Sequence, residues 1–240
     1  MSNKNLERCP FCFPIAASPR QLLVSGEYFY VLAPAGQVVE GFLGVFTHTC
    51  RDSVSRLRCL DDIPRHCVRE LRVLQSMIAE FYAASYGAPA IFYEHGRGGS
   101  GTSSLPGGHF VFHPHLCAIP GPLSIHDALR RHLEWQPSPG WGQIRARIGQ
   151  RPYLYIETPY EPSCPDPLVY FGPDLQGRQF LDQLSLKRLL VDENSLRADS
   201  DWRKYPGMSE LRGLCERFEK WYVNRFKRPS DDWLDDHTHD

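Results

Sequence analysis

Short apolar segments recur along the first half of the chain, and their pattern predicts a sheet. Each is bounded by glycine, proline or small polar residues, as strands commonly are. The four segments lie at residues 22–34, 41–47, 90–95 and 110–120. The first contains a turn at Ser25-Gly26-Glu27, and hairpin logic makes the second segment antiparallel to it.

Helical spacing replaces this pattern after Pro64. The apolar residues between Val68 and Tyr82 recur every three to four positions and predict a helix with one buried face. A shorter helix is expected to begin at Pro122 and to end near residue 133.

The second half of the chain begins with a change of composition. The stretch 136–142 is rich in proline and glycine and is typical of a linker. Beyond it we expect two strands and two helices, at residues 153–157, 168–171, 175–190 and 209–226. The predicted organisation is a domain over 1–135, a linker over 136–150, an extension over 151–229 packed on the core, and a disordered acidic tail over 230–240.

The order of these elements predicts an α+β fold. We expect an antiparallel sheet of about five strands with helices on one face, followed by a C-terminal α/β extension.

Composition and charge narrow the class of protein. The net charge of −1 gives no electrostatic reason to expect nucleic-acid or membrane binding, and no apolar stretch is long enough to span a bilayer. The first eight residues lack a signal-peptide core, so we expect a cytoplasmic protein. In that setting the eight cysteines are better interpreted as thiols or metal ligands than as disulfides.

A metal site is the first candidate chemistry. Cys9 and Cys12 have the spacing with which two thiolates hold a tetrahedral Zn²⁺ ion. A redox pair has the same spacing, but no thioredoxin-like pattern surrounds these cysteines. His113 is the natural third ligand, and either Cys50 or His48 is available as the fourth.

A phosphate site is the second. His113 and His115 alternate along a predicted strand and therefore share a face. If His113 binds metal, His115 is available to attack phosphorus and to carry a phosphoryl or nucleotidyl group. The glycine-rich loop before this strand offers backbone N–H groups, hydroxyls and a cation to a phosphate. The candidate phosphate- or nucleotide-binding residues are Arg97, Ser100, Gly101, Ser103, Ser104, His109 and Cys117.

Several motifs, taken together, resemble the histidine triad (HIT) superfamily. His113-Pro114-His115-Leu116-Cys117, followed by Ala118-Ile119-Pro120, resembles the family signature His-x-His-x-His with its apolar end. The segments 9–12, 41–47 and 94–96 resemble the Cys-x-x-Cys start, the glycine-led strand and the Glu-His-Gly strand of zinc-containing members.

The resemblance implies a role for each matched residue. His115 would be the nucleophile and would form a covalent nucleotidyl intermediate. Cys9, Cys12, Cys50 and His113 would hold a structural zinc, with Cys50 preferred over His48 because an alignment without gaps places it there. A homodimer is implied by the resemblance alone.

Three functions follow as hypotheses. The first is a nucleotide hydrolase or nucleotidyltransferase acting at the α-phosphate of a nucleotide or nucleotidylated small molecule. The second is a nucleotide-binding or scaffold protein without turnover, because Cys117 stands where the family has its third histidine. A redox protein that uses Cys9 and Cys12 is the third hypothesis. Tightly bound zinc would exclude it.

Overall fold

The computed structural model describes eleven stretches of the chain. They are residues 11–12, 21–37, 39–50, 57–96, 100–101, 110–111, 113–121, 126–131, 133–158, 167–171 and 207–226. The predicted helix at 175–190 and the predicted tail at 230–240 lie outside them.

An eight-stranded antiparallel sheet forms the centre of the described structure. Its strands are β1 (Leu22–Ser25), β2 (Phe29–Leu32), β3 (Leu43–Thr47), β4 (Ala90–Gly96), β7 (His115–Pro120), β8 (Glu134–Pro137), β9 (Tyr153–Glu157) and β10 (Leu168–Phe171). They lie side by side in the order β1-β2-β3-β7-β4-β9-β10-β8. A separate two-stranded ribbon pairs β5 (Ser100–Gly101) with β6 (Phe110–Val111).

The predicted α+β class is confirmed, but the expected count of about five strands is wrong. The difference arises at one edge, where β9 pairs with β4 and is followed by β10 and β8. The apolar residues of β9 and β10 are buried in the same core as Val31 of β2, Val45 of β3 and Leu116 of β7. Residues 153–157 and 168–171 therefore continue the sheet of the first half of the chain.

The stretch predicted as a linker also holds regular structure. It contains the second half of β8 and the helix α3 (Ile144–Ile148). The carboxylate of Asp61 accepts hydrogen bonds from the backbone N–H groups of Ile144 and Arg145, at 3.0 and 2.8 Å. This contact fixes the start of α3 to the first half of the chain.

Three further helices are described: α1 (Val68–Tyr86), α2 (His126–Arg130) and α4 (Met208–Phe226). Helix α1 is preceded by a 3-10 turn at Arg65–Cys67 and ends at Gly87 in the left-handed conformation, a common way for helices to end. Among the helices in the described ranges, none is long and apolar enough to cross a membrane.

The helices divide between the two faces of the sheet. The α1 side chain of Arg72 pairs with Glu157 of β9, and α1 packs in turn against α4 through Phe81 and Phe218. Helix α2 lies on the opposite face. Its His126 stacks on Tyr170, and the register of β9 with β10 puts Tyr170 and Glu157 on different faces of the sheet. The expectation that all helices share one face therefore holds for α1 but not for α2.

Candidate functional site

The face of the sheet opposite to α1 carries the candidate site at its centre. Strands β3, β7 and β4 are neighbours there, and their pairing puts Phe46 opposite His115 and Tyr93 opposite Cys117. Directly paired residues project to the same face. The side chains of all four therefore lie together.

A cluster of three metal-ligating side chains lies at one end of this face. The sulfur of Cys12 is 3.5 Å from the sulfur of Cys50 and 3.9 Å from Nδ1 of His113. Ligand atoms bound at about 2.3 Å (sulfur) and about 2.0 Å (nitrogen) in a tetrahedral site are about 3.5–3.8 Å apart. The three atoms are thus placed as they would be around one metal ion.

The hydrogen bonds of His113 leave Nδ1 suited to binding a cation. Its Nε2 donates to the backbone carbonyl of Thr47 at 2.8 Å, and the Thr47 hydroxyl oxygen lies 3.2 Å from the same nitrogen. A carbonyl can only accept, so Nε2 carries the hydrogen, and the neutral ring keeps its lone pair on Nδ1. Such an outer contact orients metal-binding histidines in general.

The electrostatics of His113 also favour a cation at this point. Burial lowers the pKa of His113, but its hydrogen bonds to Cys12, Cys50 and Thr47 outweigh burial, so that the pKa is raised. The sulfurs that favour a proton on Nδ1 equally favour a metal ion in its place. The donor set of two cysteines and one histidine therefore fits a metal.

The two other candidate ligands, His48 and Cys9, are not part of the described cluster. His48 is outside the cluster, since its Nε2 lies 3.1 Å from the carbonyl of Phe29 and 3.4 Å from the Ser25 hydroxyl. Cys9 lies outside the described residues. The structure thus brings together Cys12, Cys50 and His113.

His115 is held in one orientation by two contacts. Its Nδ1 donates to the backbone carbonyl of His113 at 2.7 Å, and its ring stacks on Phe46 with centroids 5.1 Å apart. The hydrogen on Nδ1 places the lone pair of the neutral imidazole on Nε2. That is the nitrogen a nucleophilic histidine needs.

Residues outside the predicted site set build the wall around His115. Phe46 stacks on Phe11 and on Tyr30 as well as on His115, and the hydroxyl of Tyr30 donates to the carbonyl of Phe11 at 2.6 Å. Because Phe11 precedes Cys12, this stack also holds Cys12, one member of the cluster, against the sheet. Sequence reasoning placed Tyr30 and Phe46 in strands without a role, since the residue pattern does not reveal which strands are neighbours.

Gly44 accommodates the Phe46 ring. A Cβ at position 44 would lie 2.4 Å from that ring, far inside van der Waals contact. The glycine in this strand is therefore required by the ring that crosses it. The glycine can be seen in the sequence, but its close approach to the Phe46 ring is seen only in the structure.

The strand β4 ends in Glu94-His95-Gly96, and two of these residues have structural roles. Glu94 is buried on the helix side, where it accepts hydrogen bonds from the Leu60 N–H at 2.6 Å and from the Tyr153 hydroxyl at 2.8 Å. Burial raises its pKa to about 8 despite these two donors. At Gly96 a Cβ would come within 1.9 Å of the Tyr153 ring, so only glycine leaves that ring in place.

Cys117, at the third position of the motif, is buried beside Tyr93. Burial and contact with the Cys117 sulfur raise the pKa of Tyr93 well above its usual value. A thiol is a weak hydrogen-bond donor, and this one has a phenol next to it. Cys117 thus contributes a small, mostly apolar surface beside His115.

The predicted phosphate loop is described only in part. Ser100 and Gly101 form β5 and pair with β6 through their backbones. The remaining loop candidates, Arg97, Ser103, Ser104 and His109, lie outside the described residues. The strand predicted over 110–120 is divided, because β6 ends at Val111 and β7 begins at His115.

Comparison with known proteins adds no family to these observations. No model of a known protein family matches the chain, and no curated protein matches it significantly. The case for a function therefore depends on the geometry of the site and on the motifs quoted above.

Proposed function

We propose that the chain is a nucleotide hydrolase or nucleotidyltransferase that acts at the α-phosphate through a covalent nucleotidyl-His115 intermediate. The observation that carries this proposal is the hydrogen bond from Nδ1 of His115 to the His113 carbonyl, at 2.7 Å. It assigns the lone pair to Nε2 and places a fixed acceptor behind the ring. Both are needed for an imidazole that attacks phosphorus.

The first step begins with attack of the Nε2 lone pair on the α-phosphorus. A new N–P bond forms while the bond from phosphorus to the leaving group breaks, and the leaving group departs with the bonding electrons. The ring becomes a cation that keeps its hydrogen on Nδ1. The His113 carbonyl faces this hydrogen and stabilises the positive charge, because hydrogen bonds from charged donors are stronger.

The second step restores the ring. Water or an acceptor hydroxyl or amine attacks the phosphorus, loses its proton to solvent or to the departed leaving group, and the N–P electrons return to Nε2. Water gives a nucleoside monophosphate, whereas another acceptor gives a transferred nucleotidyl group. Stacking on Phe46 keeps the ring in the same orientation through both steps.

We infer that the metal held by Cys12, Cys50 and His113 is Zn²⁺, because thiolate and imidazole ligands in a tetrahedral arrangement suit it. Cys9 is the proposed fourth ligand, from its spacing to Cys12. A bound zinc would be structural and would cross-link the segment at Cys12 to the ends of β3 and β7. Phe11, Phe46 and His113 would then hold the nucleophile in place.

Trapping the intermediate tests the proposal. The protein is incubated with a panel of nucleoside triphosphates and dinucleoside polyphosphates labelled at the α-phosphate, then quenched in alkaline denaturant, because N–P bonds hydrolyse in acid. We expect label on the wild-type protein and none on His115→Ala. His66→Ala is the control, since His66 is exposed and its ring contacts Tyr28 instead of the site.

A nucleotide-binding protein without turnover is the second candidate, and Cys117 is the observation that favours it. Its buried thiol offers His115 a weak donor in place of a stronger one. Absence of label with the whole panel, together with nucleotide binding measured by calorimetry, would support this candidate over the enzyme.

A further inference from the structure

His95 is the residue of Glu94-His95-Gly96 whose side-chain nitrogens have no hydrogen-bond partner among the described residues. It pairs with Leu154 of β9, and two positions earlier on the same strand Tyr93 pairs with Cys117 of β7. From the pair of Tyr93 and Cys117, two residues further along β4 lead to His95, and two residues back along β7 lead to His115. In antiparallel strands these two positions are level and share a face. Strand geometry thus puts the two imidazoles on the same face, close enough for His115 to lower the pKa of His95.

The ring of His95 is buried without hydrogen bonds. Its exposed fraction is 9%, and neither Nδ1 nor Nε2 has a partner in the part of the chain that the structure describes. His126, another buried histidine of this face, contrasts with it, because Nδ1 meets the Tyr170 hydroxyl at 2.5 Å and Nε2 meets Thr158 at 3.3 Å. Buried polar atoms almost always have partners, so an unpartnered pair beside a nucleophile indicates a ligand.

The charge state of His95 limits what that ligand can be. Burial, and to a smaller extent the proximity of His115, lower the pKa of His95 to about 3. At neutral pH the ring is therefore uncharged, with one N–H donor and one lone pair, and it is too weak a base to take a proton from water. A neutral donor in a dry site suits an oxygen that gains negative charge during the reaction.

Among the described residues, the other side chains near His115 offer no donor, a weak donor or an occupied one. The Phe46 ring has no hydrogen to donate, and the Cys117 thiol is a weak donor. The Tyr93 hydroxyl is engaged with the Cys117 sulfur. A phosphoryl oxygen presented to Nε2 of His115 would thus find a strong neutral N–H only at His95 among these neighbours.

We propose that the His95 N–H donates a hydrogen bond to a non-bridging oxygen of the phosphoryl group that His115 attacks. The inference rests on the proposed function of His115 and names the group that binds the transferred phosphate. No bond to His95 forms or breaks, since it stabilises the charge on the oxygen while the N–P bond forms. A ligand with a phosphoryl group is accordingly the partner that accepts the hydrogen of this ring.

Two variants separate this role from a structural one. His95→Phe keeps a ring of similar size but removes both nitrogens, whereas His95→Asn keeps an N–H donor. We expect His95→Phe to slow adduct formation about 100-fold, mainly in kcat, and His95→Asn to recover part of the loss. In the absence of ligand, His95→Phe should retain or raise the thermal midpoint, because it removes unpartnered polar atoms.

The matched control is His126→Phe. It removes a histidine whose two nitrogens have partners, so it should lower the thermal midpoint. A lower midpoint for His95→Phe as well would show that His95 has a structural partner and would overturn the proposal.

A second measurement uses binding instead of turnover. The ¹⁵N resonances of the His95 ring are followed as adenosine 5′-monophosphate or inorganic phosphate is added to the full chain. We expect the N–H signal to shift in wild-type protein and in His115→Ala, and phosphate affinity to fall in His95→Phe.

The outcomes distinguish the two proposals. Label on wild-type protein with an unchanged rate in His95→Phe overturns the role of His95 and leaves that of His115 intact. If no nucleotide labels the protein, a shift of the His95 signal still supports His95 as a phosphate ligand, and an unmoved signal overturns that role.

Discussion

The backbone carbonyl of His113 accepts the hydrogen of Nδ1 of His115, while the ring of the same His113 points its own Nδ1 at the Cys12 sulfur. One residue therefore belongs to the cluster that could hold a metal ion and also orients the proposed nucleophile. We expect a displacement of its ring to shift the carbonyl that holds His115. The metal and the reaction are expected to be coupled through this residue.

Loss of a cysteine ligand should remove the metal and weaken the reaction together. We expect Cys12→Ser and Cys50→Ser to lower bound zinc from about one ion per chain to a small fraction, because serine is a poor ligand for zinc. Cys215→Ser is the control, since Cys215 is half-buried like Cys12 but lies in α4. Metal per chain by mass spectrometry checks this, and wild-type zinc content in both ligand variants would contradict the assignment.

Chelation should have the same effect without mutation. Treatment with a strong zinc chelator is expected to lower the thermal midpoint of wild-type protein, because a metal bound only by the folded state stabilises it. The midpoint of Cys50→Ser, already without metal, should not change. Scanning calorimetry of wild type and Cys50→Ser, with and without chelator, measures these thermal midpoints.

Gly44→Ala should disturb His115 without removing the metal. The new methyl group would displace the Phe46 ring, 2.4 Å away, and with it the surface on which His115 stacks. A misplaced reacting group commonly slows a reaction on the order of 10- to 100-fold, and we expect that loss in adduct formation.

The control for Gly44→Ala is Gly213→Ala in α4. A Cβ there meets nothing within 4 Å, and alanine in a helix is favoured over glycine by about 1 kcal/mol. The control should keep the wild-type rate and gain stability. An equal loss of rate in Gly44→Ala and Gly213→Ala would contradict the proposal that Phe46 positions His115.

The buried carboxyl of Glu94 should make stability fall as the pH rises. Burial holds its pKa at about 8, above its ordinary value of 4.5, so the folded state binds this proton more tightly than the unfolded state. Its contribution is complete below about pH 4.5 and is lost as the pH rises through 8, at a slope on the order of 1 kcal/mol per pH unit.

Glu94→Gln isolates this group. The amide can keep the contacts with Leu60 and Tyr153 but does not titrate. Urea unfolding at pH 5.5, 7 and 8.5 should show the variant gaining on the wild type as the pH rises. If the stability difference between wild type and Glu94→Gln stayed constant across this pH range, a group other than Glu94 would have to bind the proton.

Asp61 should matter for α3, which begins within the stretch of linker-like composition. Asp61→Ala removes both acceptors at the first N–H groups of the helix and should lower the free energy of unfolding by about 1–2 kcal/mol. Asp61→Asn, which keeps one oxygen, should lose less. Chemical denaturation of the three proteins tests the order, and equal stability of wild type and Asp61→Ala would exclude the capping role.

The sequence by itself determined the elements and the chemistry that depend on local order. Apolar spacing after Pro64 predicted the helix observed as α1, and apolar runs predicted β3, β4, β9 and β10 close to their observed positions. The thiol and imidazole residue types marked a metal site before any distance was known. Such features depend on residues near one another along the chain.

Only the tertiary structure decided which residues meet. The pairing of β9 with β4 extended the sheet from about five strands to eight, and the end of β3 brought Cys50, not His48, to Cys12 and His113. The tautomer of His113 is set by Thr47, which is distant in sequence, and the tautomer of His115 and the contact of Gly44 with Phe46 depend on how the folded strands hold these rings. The lack of hydrogen-bond partners for the His95 nitrogens among the described residues is likewise a property of the fold. Strand order and side-chain contacts are set by burial of the whole chain at once, so no local pattern contains them.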